Sequence, residues 1–196
     1  HAVKTLCQGE LTQVLGRKNQ KNIATYLSIL KKKTGVLFAA ATQCGAILGE
    51  ASKEQRIQLR RFGNALGIAF QVMDDYMDIM GNKEELKKEP GQDFELGEWT
   101  LPILLYYNSL SSKEQLEFDQ WYENKNTKSI VSIRDALSKN PEILMETHRY
   151  AIKYLEEALD ALTYLPKNKY TDTFGTIINY VKVRGLSKIK VEAKQH

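Results

Sequence analysis

From Leu66 to Met77, four apolar residues recur at the three- and four-residue spacing of a helix buried on one side: Leu66, Phe70, Met73 and Met77. The same stretch, Phe70-Gln71-Val72-Met73-Asp74-Asp75-Tyr76-Met77-Asp78, carries three aspartates. Few folds accommodate that combination. Asp74 and Asp78 stand one turn apart on one face, and Gln71, three residues before Asp74, joins them. Asp75 lies about 100° round the axis from Asp74. Three like charges in a largely apolar helix repel one another unless water or a cation neutralises them. Carboxylate oxygens are hard ligands, and Mg²⁺ takes one or two protein carboxylates together with waters and substrate phosphates. The stretch therefore reads as a Mg²⁺–diphosphate platform, with Asp74, Asp75 and Asp78 holding the metal, or as a solvated acidic stripe.

The rest of the chain is helical in pattern. It has 196 residues, 42% hydrophobic and 27% charged, with only four Pro, which suits one all-α domain over 1–196. A net charge of +4 does not by itself call for nucleic acid, although the clustered lysines suit an anionic ligand. Cys7 and Cys44 lie in apolar helical patterns and read as buried, reduced thiols. No apolar run reaches bilayer-spanning length and no secretory pattern opens the chain. The expectation is a cytoplasmic protein without stable membrane insertion.

Along the chain, Leu6, Leu11, Val14 and Leu15 sit at helical spacing in a first helix over 1–15. Asn22 caps a second helix over 23–51, with Tyr26, Leu27, Leu30, Leu37 and Ile47 on its apolar side. Lys31 and Lys32 read as solvated. Lys33 differs because Thr34 and Gly35 follow: an ammonium beside a hydroxyl suits a phosphate, and a small residue permits close approach. Ser52 and Gln55 form a capping box for the aspartate helix, 53–79, where Gly63 and Gly67 allow close helix contact and Gly81 ends the run. Residues 81–99 read as a polar loop and a candidate lid. Thr100 caps and Pro102 opens the next helix. Further helices are predicted at 112–124, 127–139, 141–164 and 169–184, with His148 on an exposed face and without a role.

Four motifs occur in order: Gly9-Glu10-Leu11-Thr12-Gln13; Lys33-Thr34; the run from Phe70 to Asp78; and Lys88-Glu89-Pro90-Gly91-Gln92-Asp93 followed by Thr100-Leu101-Pro102. Together they resemble the C-terminal half of the trans-isoprenyl (polyprenyl) diphosphate synthases. The resemblance implies an isoprenoid synthase-type helical bundle, with the N-terminal helices missing from this chain. It also implies Mg²⁺-dependent prenyl transfer: an allylic prenyl diphosphate ionises, the double bond of isopentenyl diphosphate attacks the cation, and a proton is lost. By the same resemblance Lys33, Thr34, Gln71 and Lys88 are catalytic and bind the diphosphate, Asp74, Asp75 and Asp78 hold Mg²⁺, Asp93 lies near the metal, and the protein is a homodimer.

One departure stands out. The family pattern has Gly-Lys before x-Thr-Leu-Pro, whereas this chain has Gly97-Glu98. That reverses a charge and should weaken diphosphate binding unless another cation substitutes. The family's first aspartate-rich motif is also absent, Asp74-Asp75 being the only Asp-Asp pair in the sequence. The expectation is therefore the C-terminal portion of a longer enzyme, inactive alone. Two competing readings are a non-catalytic partner subunit of a heteromeric synthase, which Glu98 favours, and a class I terpene cyclase, which the Lys-x-x-Gly-x-Asp loop and Thr-Leu-Pro oppose.

Overall fold

The aspartate-bearing stretch folds into the axis of the molecule, a helix of 28 residues from Lys53 to Met80. The computed structural model describes residues 1–17, 20–81, 90–126 and 129–192, with side chains as far as 183. In order these form α1 (Ala2–Gly16), α2 (Ile23–Leu30), a π-helical turn (Lys31–Gly35), α3 (Val36–Leu48), α4 (Lys53–Met80), α5 (Gln92–Leu96), α6 (Leu101–Ser109), α7 (Ser112–Glu123), α8 (Ser129–Ser138), α9 (Pro141–Leu162) and α10 (Lys169–Glu192). Every element among the described residues is helical. None of these helices is long and apolar enough to cross a membrane.

Local chemistry sets the ends of α4. Ser52 Oγ accepts from the Gln55 N–H at 3.2 Å, and Gln55 Oε1 accepts from the Ser52 N–H at 2.9 Å. The reciprocal pair satisfies two donors that a helix start leaves orphaned. At the other end the Gly81 N–H reaches Met77 O at 2.7 Å, and Gly81 is extended rather than left-handed. The Arg134 guanidinium donates to Gly81 O at 2.7 Å, placing a cation on the negative end of the helix dipole.

Packing then builds outward from α4, which runs along α3 on one side and α9 on the other. One continuous core extends from Tyr26 to Val181; Phe62, Val72, Tyr76 and Ile79 of α4 meet Leu101, Ile103 and Leu104 of α6 and Leu144, Ala151 and Ala158 of α9. Each fully buried large side chain contributes about 1.5–3 kcal/mol. The α3–α4 approach is close because it is made over glycine: a Cβ on Gly67 would lie 3.1 Å from the Phe38 Cβ.

Three expectations are corrected. The helix over 23–51 is interrupted by the π turn, in which the Val36 N–H bonds back to Lys31 O, and it stops at Leu48. A π turn holds one residue more than a regular turn. Uniform 100° steps across it therefore overshoot by one position, which leaves Leu37 and Ile47 43% and 49% exposed. Cys7 and Cys44 are exposed, since α1 buries only Gly9 and α3 only Ala39 and Ala46. His148 is buried, because its spacing from Leu144 and Ala151 puts it on the inner stripe of α9, where its ring meets Tyr76 edge-on at 4.9 Å.

Burial pushes the His148 imidazole down from 6.5 to about 4, so the folded chain holds it neutral. The unfolded chain takes up a proton near pH 6.5 that the folded chain refuses. Stability from this group is full above that value and falls as pH drops toward 4. Between pH 7 and pH 5 the loss should be about 2 kcal/mol. His148→Phe should flatten that part of the stability–pH curve in urea titrations; an unchanged slope would refute the assignment.

Candidate functional site

Two consecutive residues of the π turn point at different neighbours. Lys33 Nζ faces α1, 2.9 Å from Glu10 Oε2 and 3.0 Å from Gln13 Oε1. Thr34 faces α4, its hydroxyl donating to Gln71 Oε1 at 2.9 Å. Gly9 makes the first approach possible: a Cβ there would sit 3.0 Å from the Lys33 backbone nitrogen. The Gly-Glu-x-x-Gln segment and the Lys-Thr pair, read separately from the sequence, thus meet in one place.

From Gln71 a relay runs into the core. Its amide donates to Asp75 Oδ1 at 2.8 Å, and the Tyr26 hydroxyl of α2 donates to Asp75 Oδ2 at 2.7 Å. Asp75 is 4% exposed. Burial, followed by the charge of Asp93, raises its carboxyl to about 7, while the bonds from Gln71 and Tyr26 pull the other way. Burial and the same carboxylate push the Tyr26 phenol well above its ordinary value.

The three aspartates therefore occupy three different settings. Asp75 faces inward with both oxygens engaged. Asp78 is fully buried, and its Oδ2 accepts from the Asp93 N–H at 3.0 Å. Asp74 is half-buried, on the accessible face with Gln71 and Phe70. Lys88 lies outside the described residues. Among those described, no three acidic, His or Cys side chains converge as a cage for a cation. The donor set instead suits a hard cation held through few carboxylates and completed by phosphate oxygens, which is how Mg²⁺ is bound beside nucleotides and diphosphates.

Glu98 is 7% exposed, and its charge is met by Arg17, whose Nε and Nη2 lie 2.7 and 2.6 Å from Oε1. Arg17 and Tyr26 are the residues that sequence reasoning missed. Arg17 falls in what reads as a polar connection, and the apolar-side assignment of Tyr26 fits its ring but says nothing of its hydroxyl. Thr100 occupies the N-cap position of α6 without a cap bond, and its buried hydroxyl has no partner among the described residues.

A family model described as polyprenyl synthetase matches residues 1–139. Heptaprenyl diphosphate synthase component 2 of Bacillus subtilis is 29% identical over 180 residues, covering 91% of this chain and 51% of that protein. Octaprenyl diphosphate synthase of Escherichia coli is 37% identical over 105 residues, covering 53% of this chain and 32% of that protein. Among solved structures, polyprenyl synthase from Caulobacter crescentus CB15, complexed with calcium and isoprenyl diphosphate, superposes with a TM-score of 0.86 at 30% identity, covering 94% of this chain and 57% of that one. Decaprenyl diphosphate synthase from Rhodobacter capsulatus gives a TM-score of 0.84 at 29% identity, with the same coverage. The chain spans about half the length of the curated relatives it matches. With its isoprenoid synthase-type helical fold and a family match over residues 1–139, the chain belongs to the polyprenyl synthetase family.

Proposed function

We propose that this chain supplies the diphosphate- and metal-binding half of a trans-prenyltransferase, which condenses isopentenyl diphosphate with an allylic prenyl diphosphate. The observation that carries the reading is the Thr34–Gln71 hydrogen bond, which across 37 residues brings the Lys33-Thr34 pair to the aspartate helix one turn before the half-buried Asp74. The Caulobacter neighbour, which holds calcium and isoprenyl diphosphate, supports the ligand class.

The chain's own residues divide the work. Lys33 is held by Glu10 in a pair that is one-third to one-half exposed. Such pairs are worth about 0–1 kcal/mol, so exchanging the carboxylate for a diphosphate oxygen costs little. Thr34 orients Gln71, Gln71 and Tyr26 pin Asp75, and Asp74 is presented to the ligand. Bound Mg²⁺ would supply Lewis-acid stabilisation to the departing diphosphate. Tyr26 and Asp75 act through the others, as positioning residues.

Two relatives are named component 2 of a heptaprenyl diphosphate synthase, and this favours a second reading, a subunit that works in a heteromeric synthase, including as its non-catalytic partner. Turnover of isopentenyl diphosphate with farnesyl diphosphate and Mg²⁺ by the complete gene product separates the two. Product formed without any partner supports the first reading. Product formed only on adding a second polypeptide supports the other, and absence of Mg²⁺-dependent binding of an unreactive prenyl diphosphate analogue overturns both.

A further inference from the structure

The short helix α5 is tied down at both ends. At its start the Gly91 N–H donates to Asp78 O at 2.7 Å, and the Asp93 N–H donates to Asp78 Oδ2 at 3.0 Å. At its end Gly97, at φ +81°, turns the chain back on itself. The Gly97 N–H then reaches Phe94 O at 3.0 Å, and the Glu98 N–H reaches Asp93 O at 2.9 Å. In a helix end closed by this pair of bonds, the residue after the glycine often carries an apolar side chain that packs back on the helix. Here it is a glutamate, 7% exposed. Its charge is met by Arg17, at the C-terminal end of α1, with Nε and Nη2 at 2.7 and 2.6 Å from Oε1.

That ion pair closes a ring of contacts. The π turn is held to α1 by Lys33 with Glu10 and Gln13, and to α4 by Thr34 with Gln71. Helix α4 is held to α5 by Asp78 with the Asp93 N–H, and Glu98 returns to α1 through Arg17. The side chains of Arg17 and Glu98 are 33% and 9% exposed, so water and salt screen this pair less than a surface pair. Removing one partner leaves the other charge poorly hydrated and unpaired, and the segment must shift to rehydrate it. The segment that would shift carries Asp93, whose charge is felt by Asp75: after burial it is the next cause of the raised Asp75 carboxyl. A lysine at position 98, as in the family pattern, would set two cations against each other here.

We infer that Arg17 and Glu98 are a positioning couple: their ion pair sets where α5 lies against the last turn of α4, and so where Asp93 and Asp78 stand relative to Asp74. The inference rests on the prenyl-transfer reading above, and both residues act through Asp93 and Asp78 rather than on the substrate. The test uses the complete gene product and two readouts, each over a range of Mg²⁺ concentrations. One is turnover of isopentenyl diphosphate with farnesyl diphosphate; the other is isothermal titration with farnesyl thiolodiphosphate. Glu98→Gln keeps the shape and removes the charge. It should raise the Mg²⁺ concentration for half-maximal analogue binding about fivefold, in the range of changes that act through neighbours. It should lower kcat about tenfold, less than the roughly 10²-fold of a full 1 Å misplacement. Glu98→Lys, which installs the residue of the family pattern, should be worse than Glu98→Gln. Arg17→Lys, which keeps the charge and loses the planar fork, should stay within about threefold of the parent. Arg17→Glu combined with Glu98→Arg should exceed either single variant in turnover, the signature of a coupled pair. A Glu98→Lys variant more active than the parent overturns the inference, as does an exchanged pair no better than its worse single variant. A lower melting temperature in Glu98→Gln with kcat and the Mg²⁺ requirement unchanged assigns the pair to stability alone and also overturns it. In each of those cases the prenyl-transfer reading stands; a parent that shows neither Mg²⁺-dependent turnover nor Mg²⁺-dependent binding overturns that reading as well.

Discussion

Asp74→Asn is expected to lower turnover of the complete gene product by roughly 10²–10³-fold, the scale of removing one electrostatic contact from a developing anion. The substitution keeps size and shape and removes the charge that a hard cation needs. Asp74 is singled out because it is half-buried, whereas Asp75 and Asp78 are 4% and 0% exposed. Removing one of three clustered like charges also relieves repulsion, so the melting temperature should hold or rise slightly. Steady-state turnover against Mg²⁺ concentration, alongside a thermal melt, gives both readouts. A variant that turns over like the parent at saturating Mg²⁺ would remove Asp74 from the site.

Gly63→Ala should produce the largest loss of stability among single-methyl changes. A Cβ at position 63 would lie 2.7 Å from the Phe38 carbonyl carbon, and closer still to the Phe38 carbonyl oxygen and Thr42 Oγ1. Backbone cannot move aside by changing rotamer, so α3 and α4 must separate along the seam that positions the site. Overpacking of this kind costs about 3 kcal/mol, offset by about 1 kcal/mol of better helix propensity. The net loss of about 2 kcal/mol corresponds to a melting temperature lower by roughly 4–8 °C. Gly175→Ala is the control: nothing lies within 4 Å of its Cβ position, so the propensity gain stands alone and the melt should rise. Equal shifts in the two variants would refute the close contact.

What the sequence made legible was local. The 3.6-residue period of α4, the Ser52–Gln55 capping box and the Asn22 cap all depend on residues within one turn of each other, and each forms as read. The meeting of Lys33 with Glu10 and Gln13 was legible only as two separate motifs, because 20 residues separate Lys33 from Gln13. Tyr26 with Asp75, 49 residues apart, and Arg17 with Glu98, 81 apart, left no trace at any fixed spacing. They follow from how helices cross, which is set by the glycines that let α1, the π turn and α4 approach. His148 was misread for a different reason: its side chain is polar, and the stripe it belongs to is defined by position. The π turn itself has no distinctive composition, and missing it displaced the assigned face of all that follows to Leu48.

That surplus residue separates two properties that usually fall together. Because a π turn absorbs one extra position without rotating the helices on either side, excising Lys32 would leave a regular rod with α2 and α3 still seated. What would change is the register inside the turn, and with it the contacts of Lys33 with Glu10 and Gln13 and of Thr34 with Gln71. A one-codon deletion there is thus a route to a chain that keeps its architecture and rearranges the Lys33-Thr34 pair.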